Sequence, residues 1–291
     1  MILQKYQVLG NDFLIFDCIN FEKNASFLQN KEFQQFVVEK SDRRRLGCDQ
    51  FIVMENSTKV DAKIVFYNSD GSKAEACGNG TVASGVYASI FLKKNDIVLE
   101  TDSSLANIKV DGQKATIEFP MPMEVSLSER EIKNLEDTLL EKIYFQHFIL
   151  AVNVGNPHCV IRLEDVDRKD FYDQELNLWE YLQSVGKKIE NMTHIFPHKT
   201  NVEFVCKTRI ANSFDVFVWE RGAGRTFACG TGACAVAFAM VKKGLANKLK
   251  PIEIYMEGSK TYGKGEPIII NFSENSVFLT NHASFEGKIE V

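Results

Sequence analysis

The sequence has no run approaching the ~18 consecutive apolar residues of a membrane helix. Its first residues, Met1-Ile2-Leu3-Gln4-Lys5, lack the charged-then-apolar pattern of a secretion signal. Positive charge is scarce: 34 Lys and Arg stand against 39 Asp and Glu, a net charge of -5 with the histidines neutral. That balance argues against nucleic acid or an anionic membrane as the main partner. The triplet Arg43-Arg44-Arg45 is short and isolated and reads as a solvated helix end. No Cys-x-x-Cys and no Cys/His pairing has the spacing of zinc ligands, so no metal site is expected. No Gly-x-Gly-x-x-Gly fingerprint follows a strand-like run. Gly258 to Lys264 fits most of a phosphate-binding loop, but Gly265 stands where Ser or Thr would hold magnesium, and strand-like residues follow. A hairpin is expected there. The seven cysteines (Cys18, Cys48, Cys77, Cys159, Cys206, Cys229 and Cys234) are odd in number and set in apolar surroundings. That usage suits a reducing compartment, and a cytoplasmic protein is the expectation.

What the chain does have is ordinary globular content: 291 residues, 45% hydrophobic and 25% charged. The length allows one large domain or two of about 150 residues. Ile2 to Phe16 reads as two strands around a Gly10-Asn11-Asp12 turn, and Lys31 to Glu39 as a helix with Phe33, Phe36 and Val37 on one face. Phe51 to Met54 and Ala62 to Tyr67 are strand-like. The turn-rich Asn68 to Ser72 leads to Ala76-Cys77-Gly78-Asn79-Gly80 and a small, apolar, helix-length run to Leu92. Three strand-like segments follow, Ile97 to Thr101, Ala106 to Val110 and Ala115 to Phe119, before a linker at Pro120-Met121-Pro122. The theme then returns. Strand-like Tyr144 to Val154 precedes Gly155-Asn156-Pro157-His158. Strands at Asn201 to Cys206 and Phe214 to Trp219 lead through Glu220-Arg221-Gly222 to Ala228-Cys229-Gly230-Thr231-Gly232 and a second small, apolar run to Val241.

The two Ala-Cys-Gly-x-Gly motifs lie about one domain length apart. They imply an α+β fold of two pseudo-symmetric domains, each a strand-rich sheet wrapped around a central helix, with the active site in the cleft between them. The expected halves are 1–120, to which the C-terminal segment 280–291 returns, and 121–279. A cysteine just before a helix, followed by Gly-x-Gly, combines three properties. The first-turn N–H groups lack helical partners, the helix dipole favours an anion, and the same field favours a thiolate. Two such sites could hold one carboxylate and set a sulfur on each face of the attached carbon. That is what inversion at an α-carbon needs: one sulfur takes the proton and the other supplies one. An isolated cysteine would more simply be a small buried hydrophobe, which is the reading for Cys234. The matched settings favour a function for Cys77 and Cys229.

Taken in order, the motifs resemble the diaminopimelate epimerase family. They run from Gly10-Asn11-Asp12-Phe13, through Asp49-Gln50, Asn68-x-Asp70-Gly71-Ser72, Cys77-Gly78-Asn79-Gly80, Gly155-Asn156-Pro157-His158, Asn201-Val202-Glu203-Phe204 and Glu220-Arg221-Gly222, to Ala228-Cys229-Gly230-Thr231-Gly232 and Phe285-Glu286-Gly287. The resemblance implies interconversion of LL- and meso-diaminopimelate without a cofactor, in lysine and peptidoglycan precursor synthesis. It implies Cys77 and Cys229 as the acid/base pair and Gly78, Asn79, Gly230 and Thr231 as holders of the reacting carboxylate. Asn11, Gln50, Asn68, Asn156, Asn201, Glu220 and Arg221 would surround the rest of the substrate. His158 and Glu220 would tune the cysteines. A homodimer with Phe285 near its interface is also implied. The chain departs from the family's usual pattern at Arg44 to Cys48, after Gly80, and at Arg225. Two other readings fit the same motifs: a two-cysteine racemase for another amino acid such as histidine, and a non-catalytic amino-acid-binding protein. On the two-base expectation, Cys77→Ala and Cys229→Ala each abolish inversion. Cys234→Ala leaves turnover near the parent rate and lowers only stability. Chiral analysis of the product decides; normal turnover in either of the first two variants contradicts the pairing.

Overall fold

The computed structural model describes residues 1–74, 77–102, 104–140, 147–164, 166–167, 169–170, 178–208, 210–261 and 265–291. The chain divides into two compact units, Met1–Glu118 with Thr280–Val291, and Phe119–Leu279. Among the described residues no helix is long and apolar enough to cross a membrane.

The first unit begins with β1 (Ile2–Val8) and β2 (Asn11–Asp17), an antiparallel hairpin closed by Leu9 and Gly10, both at positive φ (50 and 92°). That two-residue turn matches the twist of its strands. It makes Asn11 the first residue of β2 rather than part of the turn. Then come α1 (Glu22–Leu28), α2 (Phe33–Ser41), β3 (Gln50–Glu55), β4 (Ala62–Asn68), α3 (Gly78–Leu92), β5 (Asp96–Glu100), β6 (Leu105–Asp111) and β7 (Lys114–Pro120). Helix α2 starts two residues later than its periodicity predicts. Asn30 holds the preceding turn, its side chain accepting from Glu32 N–H and its carbonyl from Phe33 N–H. The buried face is as expected: Phe33, Phe36 and Val37 pack with Leu14, Phe16, Phe51 and Val53.

Those strand residues alternate with Phe13, Ile15 and Ile52, which are also buried. Both faces of β2 and β3 are therefore covered, which explains why they read as apolar runs rather than as alternation. The inner cover is α3, which touches β1 to β6. Every residue from Asn79 to Ala88 is buried, as expected of a helix apolar all round. Close approach depends on glycine. A side-chain carbon on Gly80 would stand 2.6 Å from the Phe66 ring, and one on Gly85 2.8 Å from Ile108 Cγ2.

The second unit runs β8 (Met123–Val125), α4 (Glu129–Leu140), β9 (His147–Asn153), β10 (Pro157–Leu163), α5 (Leu178–Glu190), β11 (Asn201–Lys207), β12 (Ser213–Glu220), β13 (Gly224–Thr226), α6 (Gly230–Lys242), β14 (Ile252–Met256), α7 (Glu257–Thr261), β15 (Ile268–Phe272) and β16 (Ser276–His282). Its pairing repeats the first unit's. An antiparallel pair (β9–β10, as β1–β2) is followed by a parallel step across helix (β10–β11, as β2–β3) and an antiparallel step (β11–β12, as β3–β4). The buried helix comes next, then a parallel step (β12–β14, as β4–β5) and an antiparallel one (β14–β15, as β5–β6). Parallel neighbours need long connections, and the helices supply them. The last strand, β17 (Ser284–Glu290), returns to pair with β1.

Other elements and contacts differ from the expectations. Helices α1, α4 and α5 and strand β10 stand where the sequence reading placed no element. Amphipathic α4 and α5 bury Leu135, Leu139, Trp179, Leu182, Val185 and Ile189 in one core. Of the expected strand Tyr144 to Val154, residues 144–146 lie outside the described residues, and β9 carries the remainder from His147 to Asn153. The expected hairpin at Gly258 to Lys264 is helix α7 over its described part, with Ser259 Oγ accepting from Met256 N–H; residues 262–264 lie outside the described residues. Arg43 is not a merely solvated helix end but reaches Asp12 and Asp49. The glycine packing gives a test. Gly85→Ala should lower the urea midpoint by an amount worth about 1–3 kcal/mol, with an unchanged m-value. A midpoint equal to the parent's would contradict the close approach to Ile108.

Candidate active site

The two matched motifs adopt one local structure. Cys77 and Cys229 are the N-caps of α3 and α6, both with extended backbone (φ −118, ψ 116 and φ −129, ψ 115). Each sulfur accepts the N–H three residues on, Cys77 from Gly80 at 3.4 Å and Cys229 from Gly232 at 3.3 Å. Sulfur thus takes the place that a Ser or Asp oxygen usually fills. The first carbonyl bonds of the helices, to Thr81 N–H and Ala233 N–H, come from Cys77 and Cys229 themselves. The N–H groups of Gly78, Asn79, Gly230 and Thr231 therefore precede the helical ladder, at the positive end of the dipole.

In the first unit the described residues near the cap include several amides; residues 75 and 76 lie outside the described residues. Asn79 Nδ2 donates to Asn11 Oδ1 at 2.9 Å, and Asn281 Nδ2 to Asn79 Oδ1 at 3.3 Å. Gln50 and Asn68 lie opposite one another at the ends of β3 and β4. Gln50 Oε1 is buried and has no hydrogen-bond partner among the described residues. Asn68 is engaged in its own turn, donating to Ser72 Oγ at 3.1 Å. Behind Asn11 lies an ionic clamp. Arg43 grips both oxygens of Asp12 at 2.9 and 2.8 Å and reaches Asp49 at 2.6 Å, while Lys5 pairs with Asp12. Burial works against the Asp12 carboxylate, but Lys5 and Arg43 outweigh it and hold its pKa below the usual range. Asn11 Nδ2 donates to Asp49 Oδ2 at 3.4 Å. Sequence reasoning missed this clamp because Arg43 was grouped with Arg44, whose side chain is 89% exposed. Asn281 carried no motif at all.

In the second unit the cap is surrounded by ionisable groups. Cys229 is buried, its sulfur 3.5 Å from Thr231 Oγ1. Asn156 Nδ2 donates to Thr231 Oγ1 at 3.3 Å, and Asn156 Oδ1 lies 2.9 Å from His158 Nε2. His158 Nδ1 is 2.6 Å from Glu203 Oε1, with both side chains wholly buried. The Glu220 carboxyl lies close enough to act electrostatically on Cys229, and it accepts from Thr226. Burial and the Glu220 and Glu203 carboxylates push the Cys229 thiol well up, against the Thr231 hydroxyl and the Gly232 N–H. Burial likewise raises the Glu220 carboxyl. Asn201 ties the strand ends together, donating to Pro157 C=O at 3.0 Å and accepting Arg221 N–H at 2.9 Å. The Arg221 guanidinium donates to His198 C=O at 3.0 Å. Arg225 binds Glu257. Glu203 is the group the sequence reading passed over; its place in Asn201-Val202-Glu203-Phe204 was the available signal, and the parallel register that sets it opposite Val160, two residues from His158, was not. Cys234, by contrast, is fully buried in α6, and burial raises its thiol.

A family model for diaminopimelate epimerase matches residues 4–123 and 150–264, covering both caps. A diaminopimelate epimerase from Pelagibacter ubique is 35% identical over 264 residues, 88% of this chain and 89% of that protein. One from Methanococcus maripaludis is 32% identical over 309 residues, spanning 100% of each. Among solved structures, a phenazine biosynthesis protein of the PhzF family from Bacillus anthracis has a TM-score of 0.70 at 12% identity, covering 100% of this chain and 98% of that one. A hydroxyproline epimerase from Agrobacterium vitis has a TM-score of 0.57 at 11% identity, covering 99% and 91%. At these identities the structural likeness speaks for the fold. The sequence relatives speak for the reaction class, and the protein is an isomerase, an epimerase. It belongs to the diaminopimelate epimerase family.

The electrostatics of the second cap can be checked directly. A thiol held well above its ordinary pKa is protonated at neutral pH, and alkylation requires the thiolate. In the ligand-free protein, alkylation of Cys229 by iodoacetamide should be slow at pH 7 and still rising beyond pH 9, followed by peptide mass spectrometry. A rate that levels off below pH 8 would contradict the described surroundings.

Proposed function

We propose that this protein interconverts LL- and meso-diaminopimelate by a two-cysteine acid–base mechanism, without cofactor or metal. The observation that carries the reading is the pair of cysteine N-caps with the same bond from the i+3 glycine, in a chain of this family. One sulfur, as thiolate, removes the α-proton from one face of the carbon, and the other, as thiol, protonates the opposite face. Charge that develops on the substrate carboxylate is met by first-turn N–H donors fixed before the reaction, as in an oxyanion hole. Gly78, Asn79, Gly230 and Thr231 supply them. Asn11, Gln50, Asn68, Asn156, Asn201, Glu220 and Arg221 recognise the remaining charged and polar groups of the substrate. Arg221 suits a carboxylate through its planar fork, and the amides offer both donor and acceptor. His158 and Glu220 set the proton affinity of Cys229. The reaction belongs to lysine and peptidoglycan precursor synthesis, in the cytoplasm, and the working form is a homodimer.

Purified protein incubated with LL-diaminopimelate should yield the meso isomer with no addition. Neither a chelator nor a carbonyl reagent that captures pyridoxal phosphate should slow it. Loss of turnover with either reagent, or turnover of histidine in preference to diaminopimelate, would contradict the proposal.

A further inference from the structure

Glu203 has no part in the reaction as set out above, yet it is wholly buried close to the Cys229 sulfur. A side-chain carbon on Gly232 would stand 2.8 Å from Glu203 Oε1 and 3.3 Å from Cys229 Sγ, so glycine alone leaves room for the carboxylate there. Glu203 Oε2 has no hydrogen-bond partner among the described residues. A buried, half-satisfied carboxylate is destabilising, so packing does not account for a glutamate at this position.

A continuous hydrogen-bond chain runs from it to the sulfur. Glu203 Oε1 meets His158 Nδ1 at 2.6 Å, and His158 Nε2 meets Asn156 Oδ1 at 2.9 Å. Asn156 Nδ2 donates to Thr231 Oγ1 at 3.3 Å, and Thr231 Oγ1 lies 3.5 Å from Cys229 Sγ. The direction of the chain follows from what each atom can do. The Asn156 oxygen only accepts, so His158 Nε2 carries a proton. The Thr231 oxygen takes the Asn156 N–H, which leaves its own proton for the sulfur. At the far end Glu203 Oε1 meets Nδ1 and so fixes the ring.

We propose that Glu203 is a positioning residue for Cys229: it fixes the His158 ring with Nε2–H toward Asn156, and through Asn156 the ring turns the Thr231 hydroxyl onto the sulfur. The Thr231 hydroxyl is then a second donor to that sulfur, beside the Gly232 N–H. Among the described residues the titratable groups around the sulfur are Glu203 on β11 and Glu220 on β12, with His158 on β10 bonded to Glu203; Arg225 on β13 is engaged by Glu257. The role in catalysis rests on the reading that Cys229 exchanges a proton with the substrate.

The test uses the full chain labelled with 15N-histidine. In the parent, the Nε2–H proton of His158 should be observed. In Glu203→Gln the new amide oxygen accepts from Nδ1–H, the ring keeps its proton there, and the Nε2–H signal should disappear, so that Asn156 loses its donor. In turnover of diaminopimelate, Glu203→Gln and Thr231→Val should each lower kcat roughly tenfold, with KM within about twofold, and the double variant should be no slower than the slower single. Thr231→Ser, which keeps the hydroxyl, should restore most of the rate. If Glu203→Gln does not fold, His158→Gln with Thr231→Val completes the same cycle. Losses that multiply in the double variant, parent-level kcat in Glu203→Gln, or an unchanged Nε2–H signal would overturn the role. The ring signals need no substrate, so they decide the Glu203–His158 arrangement even if the parent fails to turn over diaminopimelate.

Discussion

A cysteine sulfur accepting the N–H of a glycine three residues later is the contact on which the rest of the site depends. Sulfur is a weak acceptor, and a Ser or Asp would cap either helix better. The glycine that donates cannot be replaced by a larger residue. At Gly80 the Phe66 ring occupies the space, and at Gly232 the Glu203 carboxylate does. The cap is thereby pressed against strands whose own positions are set by burial on both faces. Behind it lies a helix buried on every side over most of its length, in each unit. A sulfur held by such a helix has little freedom, and reaction at one carbon needs that lack of freedom.

The two caps share a backbone, and each is set in polar surroundings. Among the described residues on the Cys77 side are the amides Asn11, Asn79 and Asn281, with Asp12, Asp49, Lys5 and Arg43 paired with one another one layer back. Beside Cys229 stand Glu203 and Glu220, with His158 bonded to Glu203. Burial and the two carboxylates hold the Cys229 thiol well above its ordinary pKa, so in the ligand-free protein that sulfur is protonated at neutral pH.

The two-unit α+β architecture and both caps were legible in the sequence because they rest on local signals: small residues after Cys-Gly-x-Gly, turn glycines, and an internal repeat. Elements with equally local signals went unread where the eye followed the repeat. Ser128 and Glu131 form a capping box at the start of α4, and Leu178, Leu182, Val185 and Ile189 mark the buried stripe of α5. Other features were not local at all. Arg43 finds Asp12, Glu203 finds His158, and Asn281 finds Asn79 only through strand register and chain return, over separations of 31, 45 and 202 residues. No periodicity encodes such pairs. At Gly258 to Lys264 the signal misled, because a glycine and lysine pattern that suits a turn also permits the short helix α7.

The central claim is that two groups, not one, handle the α-proton, and isotope placement tests it most directly. LL-diaminopimelate is incubated with the enzyme in deuterated water and the reaction is stopped at a few per cent conversion. Each isomer is then separated and its α-deuterium content measured. With a different sulfur on each face, the proton leaves to one and deuterium arrives from the other. The meso product then carries deuterium at the inverted carbon, while the recovered LL substrate is still protiated. Deuterium appearing equally early in substrate and product would mean a single base serving both faces, and would contradict the account.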